Sequence, residues 1–161
     1  MEHKMNLAKS LKNDYFLGLP LIFTLVSAGF LVYFGISRTI DFEELRSLSL
    51  EEMISTLDFI LLVVFLAVIL IGIICFLKRM FYIKSFENEY KTIDAKVVDI
   101  HYIKDRCGVD VEFILNGETC KKHFALFNNK QTKYVHMDSE VKLLVKDDDP
   151  KKSLILELYF D

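Results

Sequence analysis

The sequence predicts an α+β membrane protein, a two-helix transmembrane hairpin followed by a small antiparallel β domain of about five strands, barrel-like or OB-like. Three observations predict it. Tyr15 to Ile36 (YFLGLPLIFTLVSAGFLVYFGI) and Leu57 to Leu77 (LDFILLVVFLAVILIGIICFL) are long apolar runs. Each reaches the length of about 20 residues that a helix needs to cross a bilayer's hydrocarbon core. Beyond residue 90 the pattern changes to short alternating segments separated by turn signals, which reads as strands. The expected domains are a hairpin over 1–89 and a β domain over 90–161.

The first run carries no charge, and the second only Asp58 at its edge. A cleavable signal has a shorter apolar core, of about 7–15 residues, and a small-residue cleavage site. Ser37, Arg38, Thr39 and Asp41 follow here instead, so the first run reads as an uncleaved anchor. A long core helix of a soluble protein usually keeps a polar stripe, and neither run has one. Pro20 falls in the first turns of its helix, where a missing N–H costs little. Ser27-Ala28-Gly29 and Gly72 permit close helix approach, although no G-x-x-x-G occurs. No ionisable residue lies deep in either span, which argues against a transporter or channel core built from this chain alone.

Basic residues near span ends set orientation. Lys4, Lys9 and Lys12 precede the first span, and Lys78, Arg79, Lys84, Lys91 and Lys96 follow the second, whereas only Arg38 and Arg46 lie between. The expectation is a multi-pass protein of a bacterial cytoplasmic membrane with both termini cytoplasmic. Lys78, Arg79 and Lys84 are expected at the membrane interface, on anionic headgroups. In the connection, Ser49-Leu50-Glu51-Glu52 fits a capping box, which starts the second helix near Leu50. Asp41 to Glu44 offers a short helix with Phe42, Leu45 and Leu48 on one face. The second helix is expected to continue to about Glu89.

Lys91 to Lys104 is β-rich. Ala95 and Val97 share one parity, and Val98, Ile100 and Tyr102 the other; a slip at Val97-Val98 is what a bulge produces. Val109, Val111, Phe113 and Leu115 alternate with Asp110 and Glu112. Asn116-Gly117 is the strongest short hairpin signal. It fixes a register in which Leu115 faces Glu118, Phe113 faces Cys120, Val111 faces Lys122 and Val109 faces Phe124. Glu112 then meets Lys121 as an attractive pair. Phe127 to Tyr134 reads as a polar loop. Val141, Leu143 and Val145 mark a fourth strand, Asp147-Asp148-Asp149-Pro150 a turn, and Leu154, Leu156, Leu158 and Phe160 a last strand. Small antiparallel sheets of this kind curl toward a barrel.

In order, the chain carries two spans, T-x-x-A-x-V-V from Thr92, V-x-V-E-F-x-x-N-G from Val109 and V-x-L-L-V-K-D-D-D-P from Val141. On these it resembles the widespread bacterial small two-span membrane proteins with a C-terminal compact β domain of unknown function. Thr92, Val97, Val111, Phe113, Gly117, Val141, Val145, Asp147 and Pro150 match the pattern. His136 and Asp138 stand where a Gly-acid turn is more usual, and a second Pro in the closing turn is missing. The resemblance implies fold and location and no established activity.

Chemistry is sparsely signalled. His101, His123 and His136 with Cys107 and Cys120 lack the spacing of a zinc site, so surface histidines are the expectation, with no cofactor and no metal. Cys107 and Cys120 stand six residues apart across the hairpin, about 20 Å at roughly 3.3 Å per residue, which excludes a disulfide. Cys75 reads as a small apolar residue. Asp147 to Asp149 reads as turn chemistry rather than a cation site. No nucleophile elbow, H-E-x-x-H or phosphate loop occurs. The net charge of -3 and the lack of a basic, aromatic-interleaved stripe exclude nucleic acid.

The leading expectation is a non-enzymatic membrane protein whose cytoplasmic β domain is an interaction or assembly module. Its partners are the lipid bilayer and a membrane protein or a second copy of itself. Lys121, Lys122, His123, Asp147 and Asp148 are the candidate partner contacts. The alternatives are an immunity protein against a toxin and an accessory subunit of a membrane enzyme or transporter.

Overall fold

The computed structural model describes residues 4–37, 46–49, 57–88, 90–146 and 149–160. The two candidate connection helix starts, at Asp41 to Glu44 and at Leu50, lie outside the described residues, as do Asp147 and Asp148. The chain divides into two compact units, 19–77 and a second made of 1–18 with 78–161.

The first unit is built from two helices, α2 (Tyr15–Ile36) and α3 (Leu57–Lys84), which also run into the second unit. Both are long and apolar enough to cross a membrane. Their apolar side chains are largely uncovered. Phe23, Leu25, Val32, Leu70 and Ile71 are each more than half exposed, which is not the condition of a soluble protein's core. Within the pair, Phe65 stacks on Phe30 and packs against Phe34, with centroids 6.0 and 5.9 Å apart. Gly72 is the point of closest approach, since a Cβ there would lie 2.2 Å from Thr24 Oγ1 and 3.1 Å from the Pro20 carbonyl. Gly29 has nothing within 4 Å of its Cβ position. Gly72 therefore admits a neighbouring helix, and in the other small-residue stretch it is Ser27 that is buried.

The second unit is a five-stranded antiparallel sheet curled into an open half-barrel, with strand order β3-β2-β1-β4-β5. Its strands are β1 (Lys91–Ile103), β2 (Arg106–Leu115), β3 (Glu118–Phe127), β4 (Glu140–Val145) and β5 (Ser153–Ile155). Strand four returns beside strand one, a Greek-key arrangement. The hairpin register is the expected one at every named pair, including Val109 with Phe124 and Glu112 with Lys121. Asn116 (φ 53°) and Gly117 (φ 87°) supply the left-handed turn residues. The bulge is also where the sequence places it, with the β1–β2 register shifting between Val97 and Asp99. The concave face carries the core, including Val97, Val109, Val111, Phe124, Leu126 and Leu143.

Three expectations change. The last strand stops at Ile155, and Leu156–Tyr159 forms one helical turn, α4. Alternation would leave every second residue exposed, yet Leu158, Tyr159 and Phe160 are all buried. The Glu157 carboxylate accepts the Lys142 amide N–H at 3.2 Å, in place of a strand carbonyl. The second helix ends at Lys84, followed by turns over 85–88 in which Phe86 is buried. The segment after β3 is not only loop. Asn129 Oδ1 accepts from the Gln131 and Thr132 amides and starts a 3-10 turn over Thr132–Tyr134.

The N-terminal segment was silent in the sequence and is structured here. Asn6 caps α1 (Leu7–Asn13) by accepting from the Lys9 amide. The helix lies along the unit's C-terminal end. Met5 bridges Phe160, the Asn13 side chain donates to the Leu158 carbonyl at 2.9 Å, and Asp14 bridges Leu126 on β3.

Candidate functional site

Three places in the second unit hold polar side chains in organised groups. The first is internal. Asp14 is fully buried, and its Oδ2 accepts from Arg79 Nη2 at 2.5 Å, from Arg79 Nε at 3.0 Å and from the Tyr159 hydroxyl at 2.8 Å. Its Oδ1 accepts the Leu17 amide at 2.8 Å, which caps α2. Burial, followed by the adjacent Asp14 charge, holds the Tyr159 phenol well above its ordinary range. Segments far apart in sequence meet here, and every strong acceptor position has a donor, so the group is a structural clasp. Arg79, expected on lipid headgroups, donates into this clasp, whereas Lys78 and Lys84 are exposed.

The second place is the edge strand β3, whose sheet neighbour is β2 on one side. Of the expected contact residues, Lys121 and His123 project from the convex face, where Lys121 pairs with Glu112 at 3.2 Å. Lys122 has the opposite parity, and its ammonium donates to the Lys151 carbonyl at 2.7 Å. Partial burial lowers the Lys122 pKa. The β3 edge is bridged near its end, where Asp14 meets Leu126.

The third place is also on the convex face and crosses three strands. Asp99 on β1 stands opposite Asp110 on β2, which stands opposite His123 on β3. His101 Nε2 lies 2.9 Å from Asp99 Oδ2, and His123 Nδ1 lies 2.8 Å from Asp110 Oδ1. The bulge creates this group. Without the register shift, Asp99 and His101 would continue the parity of Ala95 and Val97, which face the core; with it they turn outward. Gly108 makes room, because a Cβ there would sit 2.8 Å from the His123 ring and 3.9 Å from His101 Cβ. His136 is not in the group. Its amide and carbonyl bond the Ser139 hydroxyl in a turn where Asp138 holds φ 64°. That left-handed position is the one a glycine would fill more commonly.

All three cysteines are free thiols. Cys107 is buried beneath the hairpin, and burial raises its pKa. A pocket of about 310 Å³ beside β4 is lined by Val135, Val141, Ile155 and Leu158 with Gln131 and Glu140. Its lining holds no nucleophile paired with a base, and Glu157 at its rim is bound to the Lys142 amide.

No protein family, no curated protein and no solved structure matches this chain.

Proposed function

We propose that the chain is a non-enzymatic, membrane-anchored interaction module of a bacterial cytoplasmic membrane. In this reading α2 and α3 cross the bilayer as a hairpin, and the β unit and both termini lie on the cytoplasmic side. Support comes from the length and uncovered apolar surface of the two helices. The chain up to Gly18 and the chain from Lys78 onward also belong to one compact unit, as the two ends of a hairpin with an even number of crossings must. The basic flanks, richer in Lys and Arg than the connection, support a cytoplasmic placement of that side.

The observation that carries the interaction role is the β3 edge. It is a ten-residue strand with one sheet neighbour, and its Asp14 bridge lies toward the far end. Such an edge takes an extended segment of a partner by main-chain hydrogen bonding, while the exposed Lys121 discourages indiscriminate pairing. The partner is a membrane protein presenting an extended cytoplasmic segment. A photoreactive residue at Thr119 or Lys121, in intact cells, is expected to capture one abundant heterologous membrane protein. Adducts with only the chain itself, or none, would overturn the reading.

A further inference from the structure

We propose that the convex face of the sheet binds one divalent transition-metal ion, of which zinc fits best, through Asp99, His101 and Asp110. These residues each offer one ligand atom, and the three atoms all lie within 4.8 Å of one another. The Asp99 and His101 atoms, 2.9 Å apart, already stand at the separation of neighbouring ligands. Bonds of about 2.0–2.2 Å place such ligands roughly 3 Å apart. The Asp110 carboxylate lies within 4.8 Å of both, and the group is open to solvent, with Asp99 49% and His101 63% exposed.

Charge gives the site its reason. Like charges directly opposite on paired strands are destabilising, and Asp99 faces Asp110. The next acid along the face, Glu112, has a permanent cation in Lys121, and the neighbouring Lys96 is paired with Asp138. Among the described residues, the ion-pair partners of Asp99 and Asp110 are imidazoles, His101 and His123. A divalent ion between the two carboxylates removes the repulsion, and His101 adds a nitrogen ligand beside them.

The donor set also selects the metal. Calcium and magnesium take oxygen ligands, whereas one imidazole with two carboxylates suits zinc and its first-row neighbours. His123 has a positioning role. Its ring lies over Gly108 and holds Asp110 from behind, as outer-shell partners of metal ligands do. Two strands, a bulge and a glycine thus converge on one point of an otherwise plain surface. The inference is independent of whether the chain is an interaction module.

The test is zinc titration of the full-length, tag-free protein in detergent by calorimetry, with cobalt as the spectroscopic probe. Expected are one zinc per chain in the micromolar range or tighter and a visible cobalt spectrum. Both should be lost in Asp99→Asn and in His101→Gln. His123→Gln is expected to weaken zinc about 10–100-fold, and His136→Gln to leave it unchanged. Magnesium in excess should not compete. Circular dichroism separates loss of ligand from loss of fold, and these exposed residues are expected to leave the fold intact. No stoichiometric zinc binding, or binding that survives both Asp99→Asn and His101→Gln, would overturn the proposal.

Discussion

Asp14→Ala is the sharpest perturbation of this molecule. The substitution removes a fully buried carboxylate that accepts two bonds from Arg79, one from Tyr159 and one from the Leu17 amide. Breaking a buried ion pair from one side costs about 3–5 kcal/mol. Arg79 keeps 25% exposure and can recover some hydration, which favours the lower end. The Tyr159 hydroxyl, in a fully buried side chain, cannot be rehydrated, and an orphaned group of that kind costs about 1–3 kcal/mol. These costs overlap, so the expected loss is about 3–4 kcal/mol. It falls on the docking of α1 and α4 and on the first turn of α2, whose Leu17 amide Asp14 caps. The assay is amide hydrogen exchange by mass spectrometry on detergent-solubilised protein. At 1.4 kcal/mol per factor of ten, protection of residues 5–17 and 156–160 should fall by about two to three powers of ten. The β1–β3 amides should change far less. Asp14→Asn, which retains an oxygen for the Leu17 amide, should lose about 1 kcal/mol less. A fall of less than tenfold in residues 5–17 would refute the clasp.

Tyr159 predicts an alkaline limb. The unfolded chain releases a phenolic proton near pH 10, while the folded unit holds it well beyond that. The contribution is therefore fully present below about pH 10 and is lost as pH rises above it; Tyr159→Phe should flatten this limb of a urea-midpoint profile. Gly72→Ala should lower the thermal midpoint in detergent, because its Cβ meets Thr24 and the Pro20 carbonyl, by an amount corresponding to about 1–3 kcal/mol. Gly29→Ala, with open space at its Cβ, should be neutral or better. In maleimide labelling read by mass spectrometry, Cys107 should react far more slowly than Cys120, because it is 1% exposed and its pKa is raised by burial.

The parts of this structure legible in the sequence are those set by local chemistry. Asn116-Gly117 dictates the turn and hence the whole β2–β3 register. The change of parity at Val97-Val98 announces the bulge. The apolar runs mark both long helices. The unreadable parts depend on distant partners. Lys4, Lys9 and Lys12 looked like flanking charges, yet their segment docks because Asn13 and Asp14 find Leu158, Tyr159 and Arg79. Leu154, Leu156, Leu158 and Phe160 alternate like a strand, but a surface able to bury Leu158, Tyr159 and Phe160 together selects a helical turn. The polar group on the convex face was half visible. The register already set Asp110 opposite His123, and the bulge already turned Asp99 outward. Only by carrying that bulge across to β2 does Asp99 come to face Asp110. Cysteine and histidine spacing carries no sign of this group, because it joins a D-x-H pair on β1 to an acid on β2.

The central claim is a membrane hairpin that holds the β unit and both ends on the cytoplasmic side. The most direct test places single cysteines at Ser47, in the connection, and at Lys121, on β3, in a chain whose own cysteines are replaced. Intact cells are then treated with a membrane-impermeant maleimide. The account predicts that Ser47→Cys labels without permeabilisation and that Lys121→Cys labels only after it. Labelling of Lys121→Cys in intact cells, or protection of both sites there, would contradict it.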